Sequence, residues 1–287
     1  MLPSPAPTGA SSTPATPSVG SEILSRRGPL RVSVLTEDAG NNHEPSVSAD
    51  GSEIIFRSDR DGDDELYRAA SDGSGPQRPT TSPGFDGEPA FAPDDSFAFR
   101  TDRHGNAEIY LWAPGLPLER LTTSPGFDGE PAVSQDGTQI AFRSNRDGDA
   151  EIYVIGIDGS TPTRLTTSPG FDGEPAFSPD GSQSAFQSER DGDEEIYLMS
   201  ADGSAQTRLT ENPGADHSPA FSPEGDRVVF VRNLEGARES LSRIGVDGTG
   251  FARVHTDGGP GRDKCVVTKP RRRHQLRSCE VVKVRRR

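Results

Sequence analysis

Short runs of alternating apolar and polar residues, separated by glycine-containing turns, recur along most of the chain. In the unit Glu174–Thr210, such runs lie at 175–178, 184–188, 195–199 and 207–210, with Pro-Asp-Gly, Arg-Asp-Gly-Asp and Ala-Asp-Gly between them. Asp-Gly readily accepts positive φ and therefore favours tight turns. No helical periodicity is present. The pattern predicts four short strands per unit, which is typical of one blade of an all-β propeller.

The unit occurs five times at a nearly constant spacing. Its most repeated segment, Ser-Pro-Gly-Phe-Asp-Gly-Glu-Pro-Ala, occupies 82–90, 124–132 and 168–176. The residues that end the predicted first strands are 44, 42, 44 and 44 positions apart, and they are Val47, Phe91, Val133, Phe177 and Phe221. A fixed period of this length is the sequence signature of a repeat architecture.

One additional fourth strand, at 34–36, precedes the first complete unit. In a closed ring it would complete a blade whose other three strands come from residues 258–287. We therefore expect a five-bladed ring, a six-bladed ring with a degenerate last blade, or an open ring. The predicted organisation is a Pro/Ser/Thr-rich flexible segment at 1–30, the propeller at 31–256, and a basic tail at 257–287 that is disordered or forms the degenerate blade.

The charge is distributed unevenly. The formal net charge is −14, but residues 262–287 carry 11 Lys/Arg against 2 Asp/Glu, so residues 1–261 carry −23. An acidic repeat body repels nucleic acid and anionic lipid. It attracts cations and basic segments of proteins, and we expect a partner of the second kind.

The hydrophobic content and the cysteines do not identify the cellular compartment. Only 30% of the residues are hydrophobic, and no run approaches the roughly 20 apolar residues of a membrane helix. Residues 1–19 lack the charged and apolar regions of a signal peptide. The two cysteines, Cys265 and Cys279, both lie in the basic tail, and two residues do not establish a disulfide.

Residues 31–256 resemble the WD40-like, or PD40, repeats of TolB-type β-propellers. The matching motifs are Phe-Ser-Pro-Asp-Gly-Ser, Ala-Phe-x-Ser, Arg-Asp-Gly-Asp-x-Glu-Ile-Tyr, Asp-Gly-Ser and Arg-Leu-Thr. TolB itself is a periplasmic protein of the Tol–Pal envelope system, and its six-bladed propeller binds a lipoprotein. The resemblance implies a non-catalytic, protein-binding propeller in an extracytoplasmic compartment, either periplasmic or secreted.

The repeated loops provide the main candidate site. In a propeller, the second-to-third hairpins and the segments leading into each first strand share one face, so equivalent carboxylates gather around the axis. Loops on a rigid scaffold often carry function, although Asp and Gly are also simply good turn residues. The predicted partner-binding residues are Glu44, Asp86, Glu88, Asp128, Glu130, Asp172, Glu174 and Asp216, with Phe85, Phe127 and Phe171 as aromatic anchors.

The hairpins also suggest a weak metal site. Their carboxylates alternate along the chain, as in loops that bind hard cations, but the 12-residue EF-hand spacing is absent. Calcium remains an alternative to simple turns in which arginines neutralise nearby acids. The candidate ligands are Asp59, Asp61, Asp63, Asp147, Asp149, Asp191 and Asp193.

Two histidines occupy the same repeat position in the first and fifth units, His43 and His217. In a five-bladed ring these units would be neighbours, and the imidazoles could bind a metal together. This observation supports an enzymatic alternative, a polysaccharide lyase or hydrolase that uses carboxylates at the mouth of the channel. A calcium-stabilised cell-surface module is the other alternative. No Gly-x-Ser-x-Gly elbow or phosphate-binding glycine loop is present.

Overall fold

The computed structural model describes residues 21–27, 31–36, 40–234, 240–256, 263–266 and 280–286. All regular structure in these ranges is β-strand. The strands are β1 Ser21–Arg27, β2 Arg31–Val34, β3 Asn42–Val47, β4 Glu53–Ser58, β5 Glu65–Ala70, β6 Asp86–Phe91, β7 Phe97–Thr101, β8 Glu108–Trp112, β9 Glu119–Arg120, β10 Asp128–Val133, β11 Gln139–Ser144, β12 Glu151–Gly156, β13 Thr163–Arg164, β14 Asp172–Phe177, β15 Gln183–Ser188, β16 Glu195–Ser200, β17 Thr207–Arg208, β18 Gly214–Phe221, β19 Arg227–Leu234, β20 Ser240–Gly245, β21 Ala252–Thr256, β22 Asp263–Val266 and β23 Glu280–Arg286.

The strands form six antiparallel sheets. Each repeat folds into one of them, namely blade 1 (β3–β5), blade 2 (β6–β9), blade 3 (β10–β13), blade 4 (β14–β17) and blade 5 (β18–β21). The remaining sheet, here called the closing sheet, has the order β2-β1-β23-β22. The first strands of successive blades contact one another around a common axis. The predicted all-β propeller is therefore confirmed.

The closing sheet lies between blade 5 and blade 1, since β22 contacts both β18 and β3. This agrees with the expected ring in which a degenerate sheet joins the chain ends. The expected division into one N-terminal and three C-terminal strands was wrong, because each end supplies two strands. Ile23 in β1 accepts a hydrogen bond from the Leu35 backbone N–H and donates its own to Thr36, as Ile109 does with Leu121 and Thr122 in blade 2. The N-terminal pair thus has the geometry of third and fourth strands.

The strands of the closing sheet come from both ends of the chain. Strand β1 lies within the segment 1–30 that composition indicated to be flexible, and β22 and β23 lie within the tail at 257–287, for which a degenerate blade was one of the two expectations. The short motif Glu22-Ile23 matches Glu195-Ile196 of the third strand in blade 4. A two-residue match is too brief to be recognised without the pairing partner.

Blade 1 has three strands because of a proline. In blades 2 to 4, the leucine of Arg-Leu-Thr donates its backbone N–H to the third strand. Blade 1 has Pro79 at this position, and proline has no N–H to donate. Only the isolated bridge between Arg68 and Gln77 marks the fourth strand that the sequence predicts at 78–80.

Apolar side chains fill the space between neighbouring sheets. One buried cluster joins blades 2 and 3 through Ala98, Ile140 and Phe142, and another joins the closing sheet to blade 1 through Ile23 and Phe56. Each blade therefore needs only a thin apolar layer on either side, which explains how a chain of 30% hydrophobic residues forms a stable fold. The described part of the chain contains no helix suited to crossing a bilayer.

Candidate binding face

The hairpins between second and third strands meet the segments that lead into the next first strands. In blade 3, the Asn145 side chain accepts a hydrogen bond from the Phe127 backbone N–H at 2.7 Å, and the Asn145 backbone N–H donates to the Phe127 carbonyl at 3.2 Å. Equivalent backbone contacts link Asp102 to Phe85 and Glu189 to Phe171. We call this side of the propeller the loop face, and the side that carries the other two turns of each blade the turn face.

The four candidate aspartates do not lie on the surface of the loop face. Asp86, Asp128, Asp172 and Asp216 are each fully buried at the start of a first strand. Asp86, Asp128 and Asp172 are each paired with the arginine of their own hairpin, as in the 2.9 Å contact between Arg146 Nη2 and Asp128 Oδ2, and Asp216 is paired with an arginine of the second strand β19. The other pairs are Arg103–Asp86, Arg190–Asp172 and Arg232–Asp216. These carboxylates position the loops and cannot contact a partner directly.

A second buried carboxylate anchors each fourth strand. In blade 2, Glu108 is 1% exposed, and its carboxylate accepts hydrogen bonds from Arg120 at 2.8 Å and from Thr122 Oγ1 at 2.5 Å. The arginine of Arg-Leu-Thr is therefore a partner of a buried carboxylate within its own blade. The same cluster occurs around Glu65, Glu151 and Glu195. Burial raises the pKa of Glu65 and Glu151, and the neighbouring Asp86 and Asp172, respectively, add to this effect.

The four candidate glutamates form a chain of contacts around the axis. Each lies at a β-bulge in its first strand with φ between 51° and 54°, a conformation that glutamate rarely adopts. The Glu88 carboxylate accepts the backbone N–H of Glu130 at 2.7 Å, and the Glu130 carboxylate accepts that of Glu174 at 2.8 Å. Glu44 and Glu174 make the corresponding bonds to Glu88 and Ser218. The bulges thus aim each carboxylate at the next blade.

Arginines on the second strands alternate with the loop phenylalanines. The guanidinium carbon of Arg100 lies 4.0 Å from the ring centre of Phe85 and 4.9 Å from that of Phe127, and Arg143 lies 4.1 Å from Phe127 and 5.0 Å from Phe171. Arg57 lies 5.2 Å from Phe85. We call this row the Arg–Phe ladder. All three phenylalanines are partly exposed; among the described residues, two guanidinium groups lie over Phe85 and over Phe127, whereas one lies over Phe171.

The same arginines neutralise the glutamates. Arg57, Arg100 and Arg143 approach Glu44, Glu88 and Glu130 at 3.1, 2.8 and 3.3 Å. Although one-fifth of the Glu130 side chain is accessible, its surroundings are mostly protein, and this burial raises the pKa of Glu130 to about 7. Arg143 opposes the shift, whereas Glu174 and Glu88 add to it. Around Glu44, Glu88 and Glu130, the inner part of the face is therefore a network of compensated charges.

Exposed carboxylates do occur on the loop face, at the tips of the hairpins. Asp63, Asp149 and Asp193 are exposed, and their side chains form no hydrogen bond or ion pair with the described residues. Their neighbours Asp61, Asp147 and Asp191 accept hydrogen bonds from Tyr67, Tyr153 and Tyr197. Asp59 accepts two hydrogen bonds from Asn41. No group of three metal-ligating side chains occurs among the described residues, and calcium binding stays a prediction.

The two candidate histidines do not lie in neighbouring sheets. His43 is in blade 1 and His217 in blade 5, with the closing sheet between them. Burial lowers the pKa of His43, and Arg57 lowers it further. His217 Nδ1 lies 3.1 Å from Ser218 Oγ. The metal pair that a five-bladed ring would bring together does not form in this arrangement.

Arg57, Arg100 and Arg143 are the important residues of the face that the sequence did not single out. They occupy the variable position of Ala-Phe-x-Ser and its relatives, where blades 4 and 5 have Gln187 and Val231. In a sequence, a charged residue at an alternating strand position is expected to face solvent. The arginine comes to lie over the phenylalanine of the next blade only because the ring is curved.

Known protein families and solved structures include propellers similar to this one. The model of the TolB β-propeller domain, PD40, matches residues 80–171 and 167–267, which is more than half of the chain. Among solved structures, the chain is similar to a TolB-type protein from Agrobacterium tumefaciens, with 26% identity and a TM-score of 0.72 over 83% of this chain and 89% of that chain. TolB from Acinetobacter baumannii is 24% identical, with a TM-score of 0.70 over 80% of this chain and 62% of that chain.

Propellers of enzymes share the fold at lower identity. Oligogalacturonate lyase from Vibrio parahaemolyticus is 14% identical, with a TM-score of 0.62 over 87% of this chain and 75% of that chain. A similarity at this level reports the fold alone. The family model and the repeat motifs together lead to a single assignment. The chain belongs to the TolB β-propeller domain family.

Proposed function

We propose that the propeller is a non-catalytic module that binds a protein partner through the loop face. The observation that supports this most directly is the repetition of exposed carboxylates and partly exposed phenylalanines, in register, on one side of a rigid ring. Asp63, Asp149 and Asp193 supply charge at the hairpin tips, and Phe85, Phe127 and Phe171 supply aromatic edges nearer the axis. Aromatic side chains surrounded by polar groups are typical of protein interfaces.

The charge of the body favours a basic partner segment. Residues 1–261 carry a formal −23, and the buried aspartates and three of the bulge glutamates, Glu44, Glu88 and Glu130, are paired with internal arginines. The hairpin aspartates are therefore the carboxylates that remain available to an approaching partner. Charges of this kind act mainly on the rate and selectivity of association. Such a role is consistent with the periplasmic or secreted location that the TolB resemblance implies.

The enzymatic alternative has no comparable support in the geometry. The four bulge glutamates accept backbone N–H groups, and all but Glu174 also pair with described arginines, so a substrate would have to displace structural bonds to reach them. The two histidines lie on opposite sides of the closing sheet. We therefore infer binding, and turnover of any member of a panel of polysaccharides and peptides by the purified protein would overturn this inference.

A pair of matched variants tests the loop face. The triple change Asp63→Asn, Asp149→Asn and Asp193→Asn removes three exposed charges there. The triple change Asp72→Asn, Asp158→Asn and Asp202→Asn removes three exposed charges from the turn face, where asparagine preserves the local hydrogen bonds to residues 74, 160 and 204. Both variants have the same net charge.

The measurement is quantitative capture of partners from an extract of the source organism. At low salt, we expect the loop-face variant to capture at least about tenfold less partner than the unaltered protein. Low salt is used because salt screens the attraction between charges. The turn-face variant should capture as the unaltered protein does. Equal capture by both variants would remove the loop face from the proposed role.

A further inference from the structure

The Arg–Phe ladder stops at blade 4. Blades 2 and 3 each place an arginine over their own phenylalanine and against their own glutamate, Arg100 with Phe85 and Glu88 in blade 2. Blade 4 retains Phe171 and Glu174, but Gln187 takes the position of the arginine. In blade 4 the phenylalanine and the glutamate are therefore present without the arginine that accompanies them in blades 2 and 3.

Each of the three residues shows the consequence. Glu174 forms no ion pair within the described part of the chain, and only its Oε2 has a described hydrogen bond, from the Ser218 backbone N–H. Arg143 is the single described guanidinium over Phe171, at 5.0 Å. Gln187 is 6% exposed as a whole residue, and its side chain makes no hydrogen bond to a described residue. Its amide atoms still reach solvent, so they are free to bond to a ligand that approaches from the face.

We propose that blade 4 binds an arginine side chain of the protein partner, with its guanidinium stacked on Phe171 and paired with Glu174. The Gln187 carbonyl oxygen would accept one further N–H. This proposal rests on the proposed function and specifies the chemistry of the partner at one point of the loop face. Blades 2 and 3 show the same interaction satisfied internally.

The surroundings favour arginine over lysine. A guanidinium is planar, so it stacks on a ring and still donates two parallel hydrogen bonds to a carboxylate. Lysine provides a point charge without that geometry. Glu194 lies close enough to Glu174 and His217 to sense their charges, and it adds negative charge beside the site. The next blade has Val231 at the arginine position, so no equivalent cation follows there.

A peptide titration tests the site without the natural partner. The probe is acetyl-Gly-Arg-Gly-amide, and its control is the same peptide with citrulline, which has the same shape but no charge. Titrations of the full chain would be followed by ¹H–¹⁵N correlation spectra. We expect saturable shifts of the Gly173, Glu174 and Ser218 amide signals, with at least about tenfold weaker binding of the citrulline peptide. Equal binding of both peptides, or shifts confined to other blades, would overturn the proposal.

Variants distinguish the site from general attraction to an acidic protein. Gln187→Arg completes the ladder internally and should reduce binding of the arginine peptide at least about tenfold. Phe171→Leu keeps an apolar side chain but removes the stacking face, and it should weaken the arginine peptide more than a lysine peptide. Glu119→Gln, an exposed charge change in the outer strand of blade 2, should have no effect. Unchanged binding in both Gln187→Arg and Phe171→Leu would refute the site.

Partner binding by the loop face and arginine binding by blade 4 are tested by different experiments. If capture depends on the loop face but the peptide titration shows no preference for arginine, only the arginine site is refuted. If the peptide binds at blade 4 but capture is indifferent to the loop-face variant, the proposed partner-binding role is refuted while the side-chain site stands.

Discussion

Glutamates in a left-handed conformation are the least expected residues of this propeller. A non-glycine residue in this region costs on the order of 1–2 kcal/mol, and four glutamates in register adopt it, with Ser218 in the fifth position. The carboxylate of each glutamate accepts a hydrogen bond from a backbone N–H of the next blade. The backbone strain is therefore offset by a contact between blades, and any change of these side chains acts on the ring as well as on the site.

Glu130 should make stability depend on pH. Its pKa is raised to about 7 in the folded protein, so the folded state binds a proton that the unfolded state has already released above pH 4.5. The contribution of Glu130 to the free energy of unfolding is then complete below about pH 4.5 and is lost as the pH rises through 7. Urea unfolding between pH 5 and 8 should show a smaller decline for Glu130→Gln than for the unaltered chain.

Glu119→Gln is the control for this measurement, because Glu119 is exposed on an outer strand. It should leave the pH dependence unchanged. An identical pH dependence in Glu130→Gln and the unaltered protein would contradict the raised pKa.

Hairpin arginines should be among the most sensitive residues for stability. Arg146→Met leaves the fully buried Asp128 without its cation, and loss of one partner of a buried pair costs about 3–5 kcal/mol. Arg227→Met removes an exposed pair with Asp226, for which about 0–1 kcal/mol is expected. Equilibrium unfolding in urea measures both changes, and similar values for the two would contradict the structural role given to Asp128.

At the scale of the strand, the fourth strand of each central blade is unusually dependent on side chains. Strands β9, β13 and β17 have only two residues each, so few backbone hydrogen bonds hold them. The buried glutamate of the third strand compensates by binding the arginine and threonine of Arg-Leu-Thr. In blade 3, Thr166 donates to Glu151 at 2.6 Å and accepts the Ile152 N–H at 2.9 Å.

Thr166→Val should therefore destabilise the protein by about 1–3 kcal/mol, since it leaves a buried carboxylate oxygen and a buried N–H without partners. The adjacent Thr167 is exposed, and Thr167→Val provides the same substitution without that loss. Its effect should stay within about 0.5 kcal/mol. Chemical denaturation of both variants checks the difference, and equal stability would argue against the clamp around Glu151.

At the scale of the whole molecule, the closing sheet converts a row of blades into a ring. Strand β23 pairs with β1 from the opposite end of the chain and with β22. This pairing brings together residues separated by nearly the full chain length, and the entropic cost of closing such a loop increases only slowly with its length. Without it, blade 1 would lose the apolar cluster that Ile23 forms with Phe56.

Deletion of residues 280–287 should therefore lower the melting temperature by more than about 5 °C, because β1 loses its partner and the ring opens. Deletion of residues 1–18, which belong to the segment predicted to be flexible, serves as the control and should have little effect. Circular dichroism during heating measures both. If the two deletions melt alike, ring closure by β23 does not contribute to stability.

The strands and hairpins were predictable from the sequence, whereas the burial of individual carboxylates was not. The Asp-Gly hairpins and the Glu-Ile-Tyr and Arg-Leu-Thr strands lie where the pattern predicts them, because both depend on residues close together in the chain. Asp128 and Asp172 were expected on an exposed loop, yet each begins a first strand and is buried. The bulge that allows this arises from pairing with the second strand, so nothing within the segment Phe-Asp-Gly-Glu reveals it.

The repeating unit, the number of its copies and the positions of its strands follow from the amino-acid sequence, since turn chemistry and alternation act over a few residues. Which carboxylates are buried with arginines, which remain available and how the two chain ends share one sheet become known from the folded ring. These features depend on distances between blades, which no short segment specifies. Residues such as Arg143 and Phe171, 28 positions apart, become neighbours only when the sheets curve around a common axis.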